Sequence, residues 1–173
     1  RNAYRDGVKL WNTMLEAGKP YNISPAGPSL IRRLEHGIRN YGQDVRLENN
    51  PYEVGLGFAV DLNQEADFIG KEALIQIKKE GVKQKLIGIE FGTERMKGWN
   101  EDNWPVKENG RQIGKVTTAA YSPSLKKNIG YAMLPIEKTD IGTKITILAR
   151  GVETEATVIK EPFVTGKEKT IYI

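Results

Sequence analysis

Leu86-Ile87-Gly88-Ile89-Glu90-Phe91 is the stretch that decides the fold. Its β-branched and aromatic residues, broken by one glycine and one acid, suit a short strand. Four more segments of the same kind follow: Ile113-Gly114-Lys115-Val116-Thr117, Ile129-Gly130-Tyr131-Ala132-Met133-Leu134, Lys144-Ile145-Thr146-Ile147-Leu148 and Glu155-Ala156-Thr157-Val158-Ile159. Asn109-Gly110 and Arg150-Gly151 stand where two-residue hairpin turns are expected. Five or six short strands joined by glycine-rich turns favour a small closed barrel.

Before Gly81 the period is different. Val8, Leu10, Trp11, Met14 and Leu15 recur at helical spacing, and Gly18 with Pro20 supplies a stop. A second helix is predicted after Pro28, with Ser29 as its N-cap and Leu30, Leu34 and Ile38 as a buried stripe that ends before Asn40. Asn49-Asn50-Pro51 marks a turn, and 54–62 reads as a strand carrying Gly55 and Gly57. Gly70 opens a third helix with Ala73, Leu74 and Ile77 on one face, a basic end at Lys78-Lys79, and Gly81 as terminator. The change from helices to strands predicts an α+β chain with a boundary near Gly81, dividing it into residues 1–82 and 83–173.

Composition narrows the function classes. The 173 residues are 39% hydrophobic and 28% charged, as in a globular protein. The net charge of +4 arises from 26 basic and 22 acidic residues that are interleaved, without the basic stripe that marks a nucleic-acid binder. No run approaches the roughly 20 apolar residues that span a bilayer, and Arg1-Asn2-Ala3-Tyr4-Arg5-Asp6 has no signal-peptide core. Cytoplasm is therefore the expected location, and the start without Met reads as an internal fragment. There is no cysteine, hence no disulfide and no thiolate metal site.

Signals for familiar catalytic machinery are missing. His36 is the single histidine, so zinc would need three carboxylates, and His36 reads as a partly exposed helical residue. Neither a phosphate loop nor a dinucleotide fingerprint is present; Gly55-Leu56-Gly57 is half of the latter and reads as two strand glycines. Asp44, Glu48 and Glu53 lie in turn-like sequence and read as solvent-facing structural carboxylates. A cluster with ligand-binding character remains: Arg32-Arg33 on a helix, Tyr41-Gly42 after it, and Phe58 near two glycines. A guanidinium fork with flat stacking surfaces could hold a planar heterocycle bearing a carboxylate, or these could be surface arginines beside core aromatics.

A resemblance adds to this reading. Arg33-Leu34-Glu35-His36-Gly37, Tyr41-Gly42-x-Asp44, Asn50-Pro51-x-Glu53-x-Gly55-Leu56-Gly57 and Asp67-Phe68-Ile69-Gly70-Lys71-Glu72-Ala73-Leu74 resemble the aminomethyltransferase, or glycine cleavage T-protein, family. So do Ile113-Gly114-x-Val116-Thr117, Ser122 to Ile129, Gly142-Thr143 and Pro162-Phe163-Val164, all in family order across residues 8 to 164. The resemblance implies the end of an α/β folate-binding domain followed by a small antiparallel β-barrel. It implies tetrahydrofolate as cofactor and a small methyl or aminomethyl donor, with a lipoyl carrier protein as a further partner. The catalytic carboxylates would lie before Arg1, leaving no catalytic residue in this chain and the fragment alone inactive.

Arg33, Tyr41, Phe58 and Ser29 are the positions it places at the folate cavity. Two of them depart from the family pattern, with Ser29 at a position typical of arginine and Phe58 at one common for tryptophan. The run Pro28-Ser29-x-x-Arg32-Arg33 followed by Asn49-Asn50-Pro51-Tyr52-Glu53 is similar to relatives of dimethylsulfoniopropionate demethylase, and a non-catalytic folate-binding relative is a further alternative. Ser122 to Asn128 has two readings, a basic loop near the folate tail or a turn between strands. Trp99 and Trp104 flank a polar turn, as loop anchors or as ligand contacts.

Overall fold

The computed structural model describes residues 3–164. Six antiparallel strands close on themselves in the order β1-β4-β3-β2-β5-β6. They are β1 (Gln84–Phe91), β2 (Trp104–Glu108), β3 (Arg111–Ser122), β4 (Lys127–Pro135), β5 (Lys144–Ala149) and β6 (Val152–Ile159). Pairing of β6 with β1, Val158 opposite Ile89, removes the sheet edges that an open meander would expose. Both dipeptides read as turns sit at hairpin tips. Asn109 and Gly110 have φ of 49° and 76°, and Arg150 and Gly151 have φ of 51° and 84°, the left-handed pair that a two-residue turn requires.

Alternation along the strands sorts side chains into two cores. Ile87, Ile89 and Phe91 of β1 point inward with Val106, Ala132, Leu134, Ile147 and Val158. Leu86 of β1 and Ile129, Tyr131 and Met133 of β4 point outward, where Leu34 and Val54 cover them. β4 is therefore buried along both faces, which explains why its sequence is almost continuously apolar. Trp104 is not a loop anchor: it opens β2, is buried, and meets Phe91 edge to face at 5.8 Å.

The helices are α1 (Ala3–Gly18), α2 (Leu30–Glu35) and α3 (Lys71–Glu80). Gly70 and Gly81 flank α3 as expected. In α1 the apolar stripe exists but faces outward, with Val8, Leu10, Trp11 and Met14 all more than half exposed. α2 is shorter than its periodicity predicts. The amide of Gly37 (φ 76°) donates to Leu34 O at 3.1 Å and that of Ile38 to Arg33 O at 2.8 Å, closing the helix in a Schellman motif. Ile38 falls past that end and is exposed, while Leu34 alone of the predicted stripe is fully buried.

The strand predicted at 54–62 is absent. Asn50 Oδ1 accepts from the amides of Tyr52 and Glu53, both at 3.0 Å, Gly55 has φ 73°, and a 3-10 turn follows at Gly57–Ala59. These local bonds compete with extension. The loop is nonetheless fixed to the barrel, since Leu86 N donates to Glu53 O at 2.7 Å.

Candidate functional site

Where the first 80 residues meet the barrel, a buried polar contact lies beside the apolar one. Asp44 is 2% exposed, and its carboxylate accepts four hydrogen bonds. Oδ2 accepts from Arg33 Nη1 at 2.6 Å and from Asn40 N at 2.9 Å. Oδ1 accepts from Thr117 Oγ1 at 2.8 Å and from Thr118 Oγ1 at 2.5 Å. Two successive residues of a strand normally face opposite sides. A register shift in β3 between Val116 and Thr118 inserts an extra residue and brings both hydroxyls to the same carboxylate. Asp44 is thus structural, as its sequence context indicates, but it is not solvent-facing: four donors compensate its burial.

Arg33 is correspondingly occupied. Besides Asp44, its guanidinium donates to Ile38 O at 3.2 Å, Gln43 Oε1 at 3.0 Å and Thr118 Oγ1 at 3.0 Å. A second arginine, which the sequence reading passed over, makes a parallel clamp. Arg39 donates to Val54 O at 3.1 Å, to Gly37 O, and to Glu161 Oε1 at 2.5 Å, and lies 4.9 Å over the Tyr131 ring. It thereby ties α2, the 50–57 loop and the segment after β6 to one buried tyrosine. Burial drives the Tyr131 phenol above its ordinary range, and the Arg39 charge offsets this only in part. The Glu161 carboxyl is also raised, again chiefly by burial and against the pull of Arg39.

Of the four positions placed at the cavity, Ser29 is the α2 N-cap, its Oγ accepting from Arg32 N at 3.2 Å. It also lines a groove of about 290 Å³ with Arg95, Trp99 and Tyr121, which Arg33, Tyr41 and Phe58 do not border. Tyr41 and Phe58 are 67% and 87% exposed, so their rings are open faces. For a flat heteroaromatic ligand, the exposed Tyr41 and Phe58 rings offer stacking faces, while Ser29 borders a groove that they do not line. Arg33 fits as support, because its donors are already engaged. His36 caps the end of α2 and is exposed, as expected. Among the described residues no group of three or more His, Cys, Asp or Glu is placed to hold a metal, and no helix is long and apolar enough to cross a membrane.

Ser122 to Asn128 makes the turn between β3 and β4. Ser122 Oγ donates to the buried Glu35 carboxylate and accepts from Leu125 N at 3.1 Å. Trp99 bridges to Ala120 of β3 through its backbone, and the residue is 58% exposed.

A closed antiparallel barrel with a helical segment clamped on its outer face defines a class, and sequence comparison gives the class its family. Residues 84–165 match the model of the glycine cleavage T-protein C-terminal barrel domain, and residues 3–64 match that of the GCVT N-terminal domain. The chain belongs to the glycine cleavage T-protein family. It is 43% identical over 160 residues to an aminomethyltransferase of Geobacillus sp. (strain WCH70), covering 91% of this chain and 43% of that one. An aminomethyltransferase of Bacillus subtilis (strain 168) is 37% identical over the same share of each. The crystal structure of the glycine cleavage system aminomethyltransferase T from Bartonella henselae superposes with a TM-score of 0.70 at 26% identity, covering 78% of this chain and 37% of that one. The chain thus spans less than half the length of these relatives.

Proposed function

We propose that this chain is the carboxy-terminal part of a cytoplasmic, tetrahydrofolate-dependent one-carbon transferase of the aminomethyltransferase type. Residues 1–82 would complete its central folate-binding domain and 83–173 its barrel domain. The observation that carries this reading is the 43% identity to an aminomethyltransferase over nearly the whole chain, together with the buried Arg33–Asp44 junction that seats the first segment on the barrel.

Tyr41 and Phe58 would flank the flat ring system, Ser29 would offer a hydroxyl at its margin, and Arg33 would hold the wall behind them. When bound, tetrahydrofolate would supply the amine that accepts the one-carbon unit. This chain's own contribution is binding and enclosure: it positions the ring faces and, through the clamps at Asp44 and Arg39, keeps the cavity wall rigid. The donor is a methyl- or aminomethyl-bearing compound, with a lipoyl carrier protein as its source in the glycine cleavage role. A demethylase-type donor is the second reading. One observation favours it: Ser29 commits its hydroxyl to capping α2 and cannot reproduce a guanidinium's bidentate grip on a carboxylate.

Calorimetric titration of the complete reading frame with tetrahydrofolate tests the cavity. Saturable binding that weakens about tenfold in a Tyr41→Ala, Phe58→Ala double variant is expected, roughly the loss of two stacking contacts. Unchanged affinity would remove both residues from the site.

A further inference from the structure

Three segments distant in sequence meet beside the start of the barrel: the 50–57 loop, the link from α3 into β1, and the short 3-10 turn Ile136–Lys138 after β4. Backbone bonds hold them in place. Leu86 N donates to Glu53 O at 2.7 Å, Ile136 N to Lys83 O at 3.0 Å, and Gly81 N to Ile77 O at 2.8 Å. Between them lies a groove of about 420 Å³, within the size range of ligand pockets. Ile77, Val82 and Ile136 give it an apolar wall. Tyr52 lines it too, its ring packed so closely on Gly57 that a Cβ there would meet it at 2.7 Å. α3 has no buried side chain, and a helix of ten residues is too short to be stable without packing, so the groove beside Ile77 marks where its packing is incomplete.

The charge around this groove is one-sided. Lys78 and Lys85 belong to its lining, and no acid does. Lys79 and Lys83, exposed on the same stretch of chain, carry the positive charge beyond the groove. Among the described residues none of these four lysines forms an ion pair, whereas Lys127, Lys138 and Lys144 on the barrel are each paired with a glutamate. Acids close by are engaged: Glu53 accepts from Asn49, Asn50 and Gln84, and Glu80 from Gln76. Glu161 accepts from Arg39, and Lys85 is near enough to favour its charged form. Glu137 beside Ile136 and Glu72 at the far end of α3 are the remaining acids of these segments.

We propose that this groove docks an acidic segment of a partner protein, one apolar side chain of which enters between Ile77, Val82 and Ile136 while flanking carboxylates meet Lys78 and Lys85. Charge complementarity selects the occupant. An apolar centre rimmed by unpaired charge is the anatomy of a protein contact. A nucleic-acid strand would call for exposed aromatic faces, and Tyr52, the one aromatic residue of the lining, is half-buried with its hydroxyl covered. Charge that continues to Lys79 and Lys83 suits an extended chain better than a small anion. The inference goes beyond the transferase reading and does not rest on it.

The test is a titration of the 173-residue chain followed on its backbone amides by nitrogen-15 correlation NMR. The probes are three acetylated and amidated pentapeptides, EELEE, EESEE and KKLKK. With EELEE the Gly81, Val82 and Ile136 amides should move saturably, at about millimolar affinity in about 50 mM salt, while those of Gly130 and Gly151 stay in place. Salt at about 500 mM should weaken binding about threefold or more, because the lysines are exposed. EESEE should bind about tenfold more weakly, for want of the leucine, and KKLKK should not bind. A Lys78→Gln, Lys85→Gln double variant should lose about tenfold, with unshifted Gly130 and Gly151 amides certifying its fold. No saturable movement up to about 10 mM EELEE, equal binding of EESEE, binding of KKLKK, or unchanged affinity in the double variant overturns the proposal. Two further results overturn it by naming another occupant. Binding by this chain that is lost in the complete reading frame assigns the groove to the rest of the same protein. Tighter binding of phosphatidylglycerol vesicles or of an oligothymidylate at the same amides assigns it to a membrane or a nucleic acid.

Discussion

Replacing Asp44 with alanine should cost the folded chain about 3 kcal/mol. Removing one partner of a buried ion pair typically costs about 3–5 kcal/mol, because the other charge stays buried without compensation. Here the lower end applies, since the Arg33 side chain retains 14% exposure and keeps bonds to Gln43, Thr118 and Ile38 O. The Thr117 hydroxyl also loses its shorter acceptor contact, 2.8 Å to Asp44, against 3.5 Å to Tyr131 O. Asp44→Asn should cost about half as much: a turned amide presents its oxygen to Arg33 and its NH2 to hydroxyls that can accept. An Arg33→Met, Asp44→Leu double variant should return to within about 1 kcal/mol of the parent, as apolar replacements of buried pairs do. Urea unfolding measures all three. With a slope of about 2 kcal/mol per molar, the alanine variant's midpoint falls by about 1.5 M. A loss below about 1 kcal/mol at unchanged slope, or a double variant worse than the alanine one, would refute the claim that this carboxylate holds the first segment on the barrel.

The Tyr131 phenol is raised above its ordinary value of 10.0 by burial, so the unfolded chain ionises first and stability falls as pH rises above about 10. Comparing the parent with Tyr131→Phe between pH 9 and 11 should show that fall, about 1.4 kcal/mol per unit above pH 10, only in the parent. At neutral pH the same variant should lose about 1 kcal/mol with the bond to Leu34 O. Gly88→Ala should destabilise by about 1–3 kcal/mol, because a Cβ there would meet the Phe163 ring at 2.9 Å and Ile159 O at 3.1 Å. Thermal unfolding checks it, and a neutral result would mean that Phe163 moves freely.

The barrel was legible because its signals are local. Turn dipeptides and β-branched alternation specify hairpins by themselves, and Asn109-Gly110 and Arg150-Gly151 sit at the tips they mark. β2 was less legible: Pro105 and a charged end obscure a strand whose inward residues are Trp104 and Val106. The end of α2 was readable in principle, since Gly37 supplies the left-handed residue after a helix, but Ile38 continued the apolar period and outweighed it. At 54–62 the alternation promised a strand, and the Asn50 side chain, bonding its own backbone, prevented one. The site was least legible. Asp44 looks solvent-facing until β3, some 70 residues later, brings Thr117 and Thr118 to it through a bulge that no local pattern announces.

The central claim is that the chain completes a folate-dependent one-carbon transferase, and its most direct test is product formation by the complete reading frame. The protein would be incubated with tetrahydrofolate and, in separate arms, an aminomethylated lipoyl carrier and methylated small donors, with methylene- and methyl-tetrahydrofolate resolved by chromatography. The account predicts a folate product in one arm, with methylene product marking the glycine cleavage role and methyl product a demethylase role. Donor turnover without any folate product, or no turnover in any arm by a protein that binds no tetrahydrofolate, would contradict it.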